Sequence, residues 1–577
     1  MTRFEQDGRT KDLEESIGLY RAALDLHPEG HANRTTVLNN LAGSLTARYE
    51  RDAGTDDLEE SIVLRRASLD SLPRAHPDYS NSLNDLACSL KVRFEKEQRA
   101  DDLEEAIELH RAALRLRPEG NPGQSISLNN LASCLRIRFQ QRRRAEDLEE
   151  SIELHRAALA LRPKGHAKRS EVLNDLAICL STRFEQDGRA DDLEESIQLH
   201  RDALGLRPEG HPIRSKSLKN LASSLKIRFQ QSGKVEDLEE SIKLHRAALA
   251  LCPEGHKDRF MSMNNLAVVL NTRFMKSGLV EDLEESIALH RACLVLRHEG
   301  DVDYSRTLYN LADSLYIRFR KEGLPEDFEE SIELLSRAAT HKFSSSSMRM
   351  LAAQRWTKLA RFHDHRTALD AYRTATLVLS HSLTIRPTLP MRHEFLSGSG
   401  EDQDLALDGA SYAIEKGHFS QAIELLEQGR SLLWSQMRML RTPLEHLSEM
   451  DKQLADRFRN VSSQLEALAT SHQSHLTSPD VDDSGIFTYN DPLGENSAHT
   501  MLTRVRLLSE EQELIIDEIR QIPGFEDFLR APSFEVLQQA ALEGPVIVIN
   551  HSGFRCDALI VLSRKDVPCV CVPLDRS

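Results

Sequence analysis

Apolar residues near the middle of the chain fall at Leu218, Leu221, Ala222, Leu225 and Phe229, that is at i, i+3, i+4, i+7 and i+11. That spacing places them on one face of a helix, here helix A. Gly233 breaks the run, and Gly188, Gly278 and Gly323 stand at the same place in their own segments. Asp237, with Glu240 three residues later, predicts an N-cap in the carboxylate version of a capping box and so the start of helix B. Glu239 and Glu240 also suit the positive end of a helix dipole. Leu238, Ile242, Ala248 and Leu249 form the apolar stripe of helix B. Pro253 stops it, and Gly255 lets the chain turn toward the next helix A. The stop proline recurs at Pro28, Pro73, Pro118, Pro163 and Pro208, with His298 in its place in the seventh unit.

The phrase Asp-Leu-Glu-Glu-Ser-Ile that opens helix B recurs every 45 residues, with small variations, from Asp12, Asp57, Asp102, Asp147, Asp192, Asp237, Asp282 and Asp327. No insertion disturbs the register. A fixed period of this size predicts a solenoid of stacked units, since one helix pair cannot bury its own stripe. Arg3-Phe4 aligns with Arg48-Tyr49, Arg93-Phe94 and Arg228-Phe229, so the chain opens near the end of a helix A, and a fragment or misplaced start is expected there. The Leu-x-x-Leu-Ala-x-x-Leu pattern of helix A, with small residues at Ala222, Ala247 and Ala248, resembles tetratricopeptide (TPR) repeats. The 45-residue unit exceeds the usual length of that repeat, which implies longer helices.

The period fades after residue 345. Phe343 takes the place of the stop proline, and Ser344 to Ser347 form a polar run. The predicted organisation is a repeat array over 1–345, degenerate helical repeats over 346–443, long helices over 444–543 and a short α/β segment over 544–577. In the second region, Ile385–Pro390 reads as a break, Gly398–Gly400 as a loop and Phe419–Arg430 as part of a helix. In the third, long helices are expected over 444–470 and 501–520, with a disordered loop near 471–500. β-branched runs at Val546–Ile549, Ala558–Leu562 and Val567–Val572 read as buried strands. About three strands make no independent core, and their edges predict aggregation that removing 544–577 should relieve. The expected fold class is therefore mostly α, a TPR-type helical-hairpin solenoid followed by a helical linker region and the first strands of a truncated α/β domain.

Composition narrows the function. The 577 residues carry 74 Lys and Arg against 91 Asp and Glu, a formal charge of -17. An acidic balance argues against nucleic acid as the main partner. No apolar run approaches about 18 residues, so no membrane span is expected. No secretory signal is visible at the N-terminus, and the expected location is cytoplasmic. Eight cysteines in a chain of this length are no disulfide framework. Cys134 and Cys179 share one repeat position inside helix A and read as buried, reduced thiols. No cofactor is expected.

Two ladders run along the array. The residue before the second Leu of helix A is Asn40, Asp85, Asn130, Asp175, Asn220, Asn265 and Asn310. In TPR arrays helix A lines the concave face, and this ladder resembles the asparagine ladders with which some TPR proteins hold an extended peptide. An amide offers donors and an acceptor that match a peptide unit. The alternative is that these residues hydrogen-bond between adjacent helices. The second ladder is His110, His155, His200, His245 and His290, with Tyr20 and Arg65 at the equivalent positions. His245 lies at the edge of the helix B stripe, which reads as a partly buried packing position. Equivalent positions about 10 Å apart are too distant to share a metal ion, whose ligands lie about 2 Å from it. His363-Asp364-His365 shows no further ligand.

Taken together, further segments resemble the fungal TPR–CHAT proteins, whose CHAT domain is a caspase-like module C-terminal to TPR arrays. They are Leu426-Glu-Gln-Gly-Arg-Ser-Leu-Leu-Trp434 with Leu440-Arg-Thr-Pro-Leu444, then Ile522-Pro-Gly-Phe-Glu-Asp-Phe-Leu529, then Gly544-Pro-Val-Ile-Val-Ile-Asn550 with Arg555-Cys-Asp-Ala-Leu-Ile-Val561. The last pair looks like the opening of the CHAT domain. The resemblance implies a His and Cys dyad on later strands, in motifs that this sequence does not contain. His551, Cys556, Cys569 and Cys571 do not match them, so no catalytic residue is carried over and the chain as given is expected to be inert. Three roles stay open: a protein- or peptide-binding sensor part of a TPR–CHAT protein, a cysteine peptidase whose catalytic half lies elsewhere, and a constitutive scaffold.

Overall fold

The computed structural model describes residues 10–575 apart from 32, 53–54, 98, 118–119, 122, 143, 257, 298–303, 342–343, 345, 385–404, 430–446, 473–494, 526–527, 529–532 and 565. The expectations for Arg3-Phe4, Pro118, His298, Phe343, Ile385–Pro390, Gly398–Gly400, most of 431–444 and the bulk of the 471–500 loop lie outside the described residues. By compactness the chain divides into two units. One is Met1–Pro253 with Asn490–Met501, and the other is Glu254–Tyr489 with Leu502–Ser577.

The first unit is a stack of antiparallel helix pairs. Its elements are α1 (Thr10–Asp25), α2 (Arg34–Asp52), α3 (Thr55–Asp70), α4 (Tyr79–Glu97), α5 (Ala100–Arg115), α6 (Gln124–Arg142), α7 (Ala145–Ala160), α8 (Arg169–Asp187), α9 (Ala190–Gly205), α10 (Arg214–Ser232) and α11 (Val235–Ala250). A 19-residue helix A pairs with a 16-residue helix B. Each helix B also packs on the helix A that follows it, so the stripes close against both neighbours. The predicted core residues Leu218, Leu221, Ala222, Leu225, Phe229, Leu238, Ile242 and Ala248 are buried, whereas Leu249 at the end of the stripe is only half-buried. Gly188 and Gly233 end their helices at φ 67, donating N–H to the carbonyls of Phe184 and Phe229 at 2.7 Å. A side chain there would cost left-handed strain.

Helix B starts earlier than the capping-box pattern implies. α11 begins at Val235, with Lys234 in the N-cap position and no side-chain cap. Asp237 is the third helical residue, and it has a different task. Arg228 near the end of α10 donates Nε and Nη2 to its two carboxylate oxygens at 2.8 and 2.6 Å. The same fork joins Arg48 to Asp57, Arg93 to Asp102, Arg138 to Asp147 and Arg183 to Asp192. Two charge-assisted bonds to a guanidinium outweigh a cap bond to a backbone N–H, so the carboxylate is committed to the arginine.

The whole recurrent phrase can be read this way, with Asp192–Ile197 as the example. Asp192 takes the Arg183 fork at 2.7 Å. Leu193 and Ile197 enter the core. Glu194 accepts from Arg228 of the next helix A at 2.7 Å, and Glu195 accepts from Arg156 of the preceding helix B at 2.7 Å. Ser196 donates to the Ala177 carbonyl at 2.9 Å, where small residues let helices A and B approach closely. In the third copy of the phrase Ala106 fills the serine position.

The second unit continues the pattern with α12 (Arg259–Ser277), α13 (Val280–Leu296), α14 (Tyr304–Glu322) and α15 (Pro325–Thr340). Its forks are Arg273–Asp282 and Arg318–Asp327. The helices α16 (Ser346–Phe362), α17 (Ala368–Thr384), α18 (Leu405–Glu415) and α19 (419–429) follow. A helical turn at 447–450 precedes α20 (Lys452–His472), and α21 (Glu495–Arg520) reaches back into part of the expected loop. Leu454, Phe458, Val461 and Leu465 form one buried face of α20, packed with Leu508, Ile515 and Ile519 of α21.

After α22 (Phe534–Gln538) come β1 (Val546–His551), β2 (Cys556–Val561) and β3 (Cys569–Pro573). They form an antiparallel sheet in the order β1-β2-β3, with Val548 opposite Leu559 and Val561 opposite Cys569. The strands are not buried on both faces as their apolar runs suggest. Val548, Leu559, Val561 and Cys569 share a core with Ala410, Ile414, Ile423 and Leu426 of α18 and α19. Ile547 and Ile549 point the other way and are 62% and 56% exposed. A single antiparallel sheet with helices on one face leaves its other face to solvent.

Arg183→Met strands the buried Asp192 carboxylate and should lower stability by about 3 kcal/mol in urea denaturation. Arg156→Met breaks a half-exposed pair with Glu195 and should cost under about 1 kcal/mol; equal effects would remove the fork from this account. Deleting 544–577 strips the core shared with α18 and α19, so it should lower the melting temperature rather than improve behaviour. Ile547→Thr with Ile549→Thr should instead reduce self-association in light scattering while the melting temperature holds.

Candidate peptide-binding face

The predicted amide ladder occupies one position of helix A in each repeat, and the two units treat it differently. In the first unit Asn40 is exposed, and Asp85, Asn130, Asp175 and Asn220 are half-buried. Asn265 and Asn310 in the second unit are buried, because α12 and α14 are enclosed almost all round. Larger residues stand beside those two rungs: Val268 occupies the place of Ser133 and Ser223, and Tyr309 the place of Asn129.

The rungs also bond to their neighbours. Asn130 donates to Asn84 Oδ1 at 3.3 Å and to Cys88 Sγ at 3.4 Å. Asn220 donates to Asn174 Oδ1 at 2.9 Å, and Asn310 to Asn264 Oδ1 at 3.1 Å. Each bond links one helix A to the next. An amide has two N–H donors and a carbonyl oxygen, so one bond does not exhaust it. The Asp85 carboxylate lies 3.7 Å from Arg65 of the preceding helix B. Burial raises its pKa, and Arg65 pulls the other way. Arg65 thus places a cation beside the ladder at the position where later repeats carry histidine.

Basic residues six positions beyond the ladder, Lys91, Arg136 and Lys226, were not expected on this face. Lys91 pairs with Glu95 at 3.0 Å, and Arg136 donates to Gln140 at 3.3 Å. They hold one position of the repeat, with Ser181 in its place in the repeat between Arg136 and Lys226, and that recurrence is the signal that finds them. A second missed feature is the arginine after helix B. Arg162 is 2% exposed and donates to Ser125 Oγ and Ser125 O at 3.3 Å and to Lys168 O at 2.8 Å. It staples the start of α6 to the loop leading into α8, as Arg207 does with Ser170 and Ser217. Burial lowers the pKa of both guanidiniums. The recurrent Leu-Arg-Pro triplet is their sequence trace.

The histidine ladder lies inside the core rather than at the edge of the stripe: His110, His155, His200, His245 and His290 are all buried. Among the described residues no group of three or more His, Cys, Asp or Glu converges on a metal position. His363 packs on the Phe319 and Phe328 rings, Asp364 accepts from Tyr412 and Lys416 at 2.7 Å, and His365 faces Thr367 and Glu329. These three side chains therefore serve three separate contacts. In the sheet, His551 and Cys556 are register partners with no hydrogen bond between them. The Cys571 thiol points to Asp557 Oδ1 at 3.7 Å, and Asp557 itself takes the Arg555 fork.

Comparison with known proteins bears on the repeat. Residues 34–78 match the model of a tetratricopeptide repeat. That segment is one 45-residue period, comprising α2, α3 and the loop before α4. Among curated proteins, none matches the chain. Similar solved structures include BtubC (BKLC) from P. vanneervenii, 18% identical, covering 42% of this chain and 90% of that one at a TM-score of 0.30. The kinesin light chain nearly identical TPR-like repeats of Podosopora anserina are 19% identical, covering 39% and 100% at a TM-score of 0.29. YrrB, a TPR protein with an unusual peptide-binding site, is 14% identical, covering 40% and 96% at a TM-score of 0.26.

The buried thiols give a direct check of the packing around helix A. Burial pushes Cys134 up to about 12 and Cys179 up to about 11. Iodoacetamide at pH 8 should label both at least about 100-fold more slowly in the native protein than in urea. Equal labelling rates would mean that helix A is not packed as described. The matched period recurs in register and folds as the same helical hairpin throughout the array, so this chain carries an array of tetratricopeptide repeats.

Proposed function

We propose that the chain is a scaffold that holds a protein partner, through an extended peptide segment, against the helix A face of the first unit. The observation that carries this reading is the line of Asn40, Asp85, Asn130, Asp175 and Asn220, one per repeat, each reaching solvent. Three amides and two carboxylates at a constant spacing suit a peptide backbone, the amides meeting both N–H and C=O groups and the carboxylates accepting from N–H. Grip on the backbone tolerates many sequences, and Lys91 and Arg136 beside the ladder then select among them. Asn265 and Asn310 are buried and contribute through their neighbours only.

A second reading concerns the C-terminal sheet. The segments that resemble the start of a CHAT domain form β1 and β2 and pack on α18 and α19. This favours a role in which the array serves a caspase-like module, as its sensor part. The residues described here supply no Cys–His pair at hydrogen-bond range for that chemistry.

The test is peptide display against the intact chain, followed by titration of the enriched peptides into Asn130→Ala with Asn220→Ala. Binding should weaken by about 1–3 kcal/mol, and stability should fall by about 1 kcal/mol per lost interhelical bond. Undiminished peptide affinity alongside the stability loss would make the ladder purely structural.

A further inference from the structure

Helix B of five repeats carries a histidine where a core residue belongs. His110 lies on α5, His155 on α7, His200 on α9, His245 on α11 and His290 on α13, each 0–2% exposed. Their hydrogen bonding is incomplete. Both ring nitrogens of His110, His155 and His290, and Nδ1 of His200 and His245, have no partner among the described residues. A neutral imidazole buried this way gains little over an aliphatic side chain, and a protonated one has nowhere to place its charge. The next repeat makes the comparison within the same chain. Leu335 stands at the equivalent place on α15 and is fully buried, so an aliphatic residue fits the site.

Nearby cations make protonation of His110 and His245 harder still, while Asp175 works against burial at His155 and His200. Lys91 of α4 and Arg117 beyond α5 face His110. Arg136 of α6, Arg162 beyond α7 and Asp175 of α8 face His155. Arg207 and Asp175 face His200, and Lys219 and Lys226 of α10 face His245. Among the described residues no charged group bears on His290, for which burial acts. Asp175 is the only carboxylate in this set, and it is shared by two rings.

We propose that the histidine ladder is an acid-sensitive device that keeps the repeat array folded at neutral pH and opens it cooperatively in mildly acidic solution. Burial holds His110, His200, His245 and His290 down to about 3, and His155 to about 4. The sign follows from those depressed values. The folded array excludes protons that the unfolded chain binds below about 6.5. The stabilising contribution is therefore complete above about pH 6.5 and is lost progressively as pH falls. Each histidine multiplies the unfolding constant about tenfold per pH unit in that range. His110, His155, His200 and His245 sit in consecutive stacked repeats of the first unit, so their effects add within one nearest-neighbour series.

The test uses the full chain and far-UV circular dichroism during heating, from pH 7.5 to 4.5. It compares the natural protein with a variant carrying His110→Leu, His155→Leu, His200→Leu and His245→Leu. The natural protein should lose melting temperature steeply below pH 6.5 and unfold above pH 5. The variant should stay nearly level until carboxylates protonate near pH ~4. Coincident profiles for the two proteins would overturn the proposal. Should the fourfold variant fail to fold, His200→Leu alone is compared with the natural protein by proton uptake during urea unfolding at pH 5.5. The natural protein should take up about one more proton, and equal uptake would overturn the proposal as well.

Discussion

The array depends on one interaction, the fork between the arginine near the end of helix A and the aspartate in the first turn of helix B. It is bidentate and charged in every repeat where it is described, and Arg183 and Asp192 are both largely withdrawn from water. Such a pair is costly to desolvate and costly to break. Its value lies in geometry. The planar guanidinium dictates where helix B begins relative to helix A, and its remaining nitrogen holds a glutamate of the preceding helix B, as Arg183 holds Glu149 at 2.6 Å. One side chain thereby sets both the hairpin and its stacking.

This constraint explains why the repeat length does not drift. An inserted residue between Arg183 and Asp192 would misplace the carboxylate, and one elsewhere in the period would separate Glu149 from Arg183 or Ser196 from the Ala177 carbonyl. The buried arginines Arg117, Arg162 and Arg207 act at the opposite end of the hairpin, where they bind serine hydroxyls and carbonyls instead of carboxylates. Electrostatic order at both ends leaves the middle free for apolar packing. The histidines are the exception: polar rings set in that apolar middle with their hydrogen bonding incomplete, unlike Arg117, Arg162 and Arg207. Stability and its acid sensitivity thus come from different side chains of the same repeat.

The sheet shows the same division between a satisfied and an unsatisfied surface. Asn550 donates to Ser411 Oγ at 2.8 Å, and Ser411 lies 2.7 Å from Ser552, which pins the end of β1 to α18. Arg361 stacks on the Phe554 ring at 3.6 Å and donates to the Asp408 carbonyl. The inner face therefore belongs to the helical core of the second unit, while Ile547 and Ile549 remain in water.

The helices, most core residues and the three strands were readable in the sequence to within a few residues, because apolar periodicity is a local property that any stacked hairpin must satisfy. Leu218 to Phe229 and Leu238 to Ala248 needed no partner to be recognised. The task of each polar residue was not readable, because it depends on which neighbour arrives. Asp237 has the chemistry of an N-cap and became half of a fork once Arg228 lay beside it. Seven ladder residues looked equivalent, yet packing left Asn40 in water and closed Asn310 away. His245 looked like an edge residue and proved to be interior, since the width of the buried stripe is decided by the next helix. The sequence by itself determined the repeat, its helices and the candidate chemistry of each position. Only the tertiary structure decided which polar groups are spent on one another and which are left to meet water, a proton or a ligand, because desolvation and hydrogen-bond geometry exist only between elements brought together from distant parts of the chain.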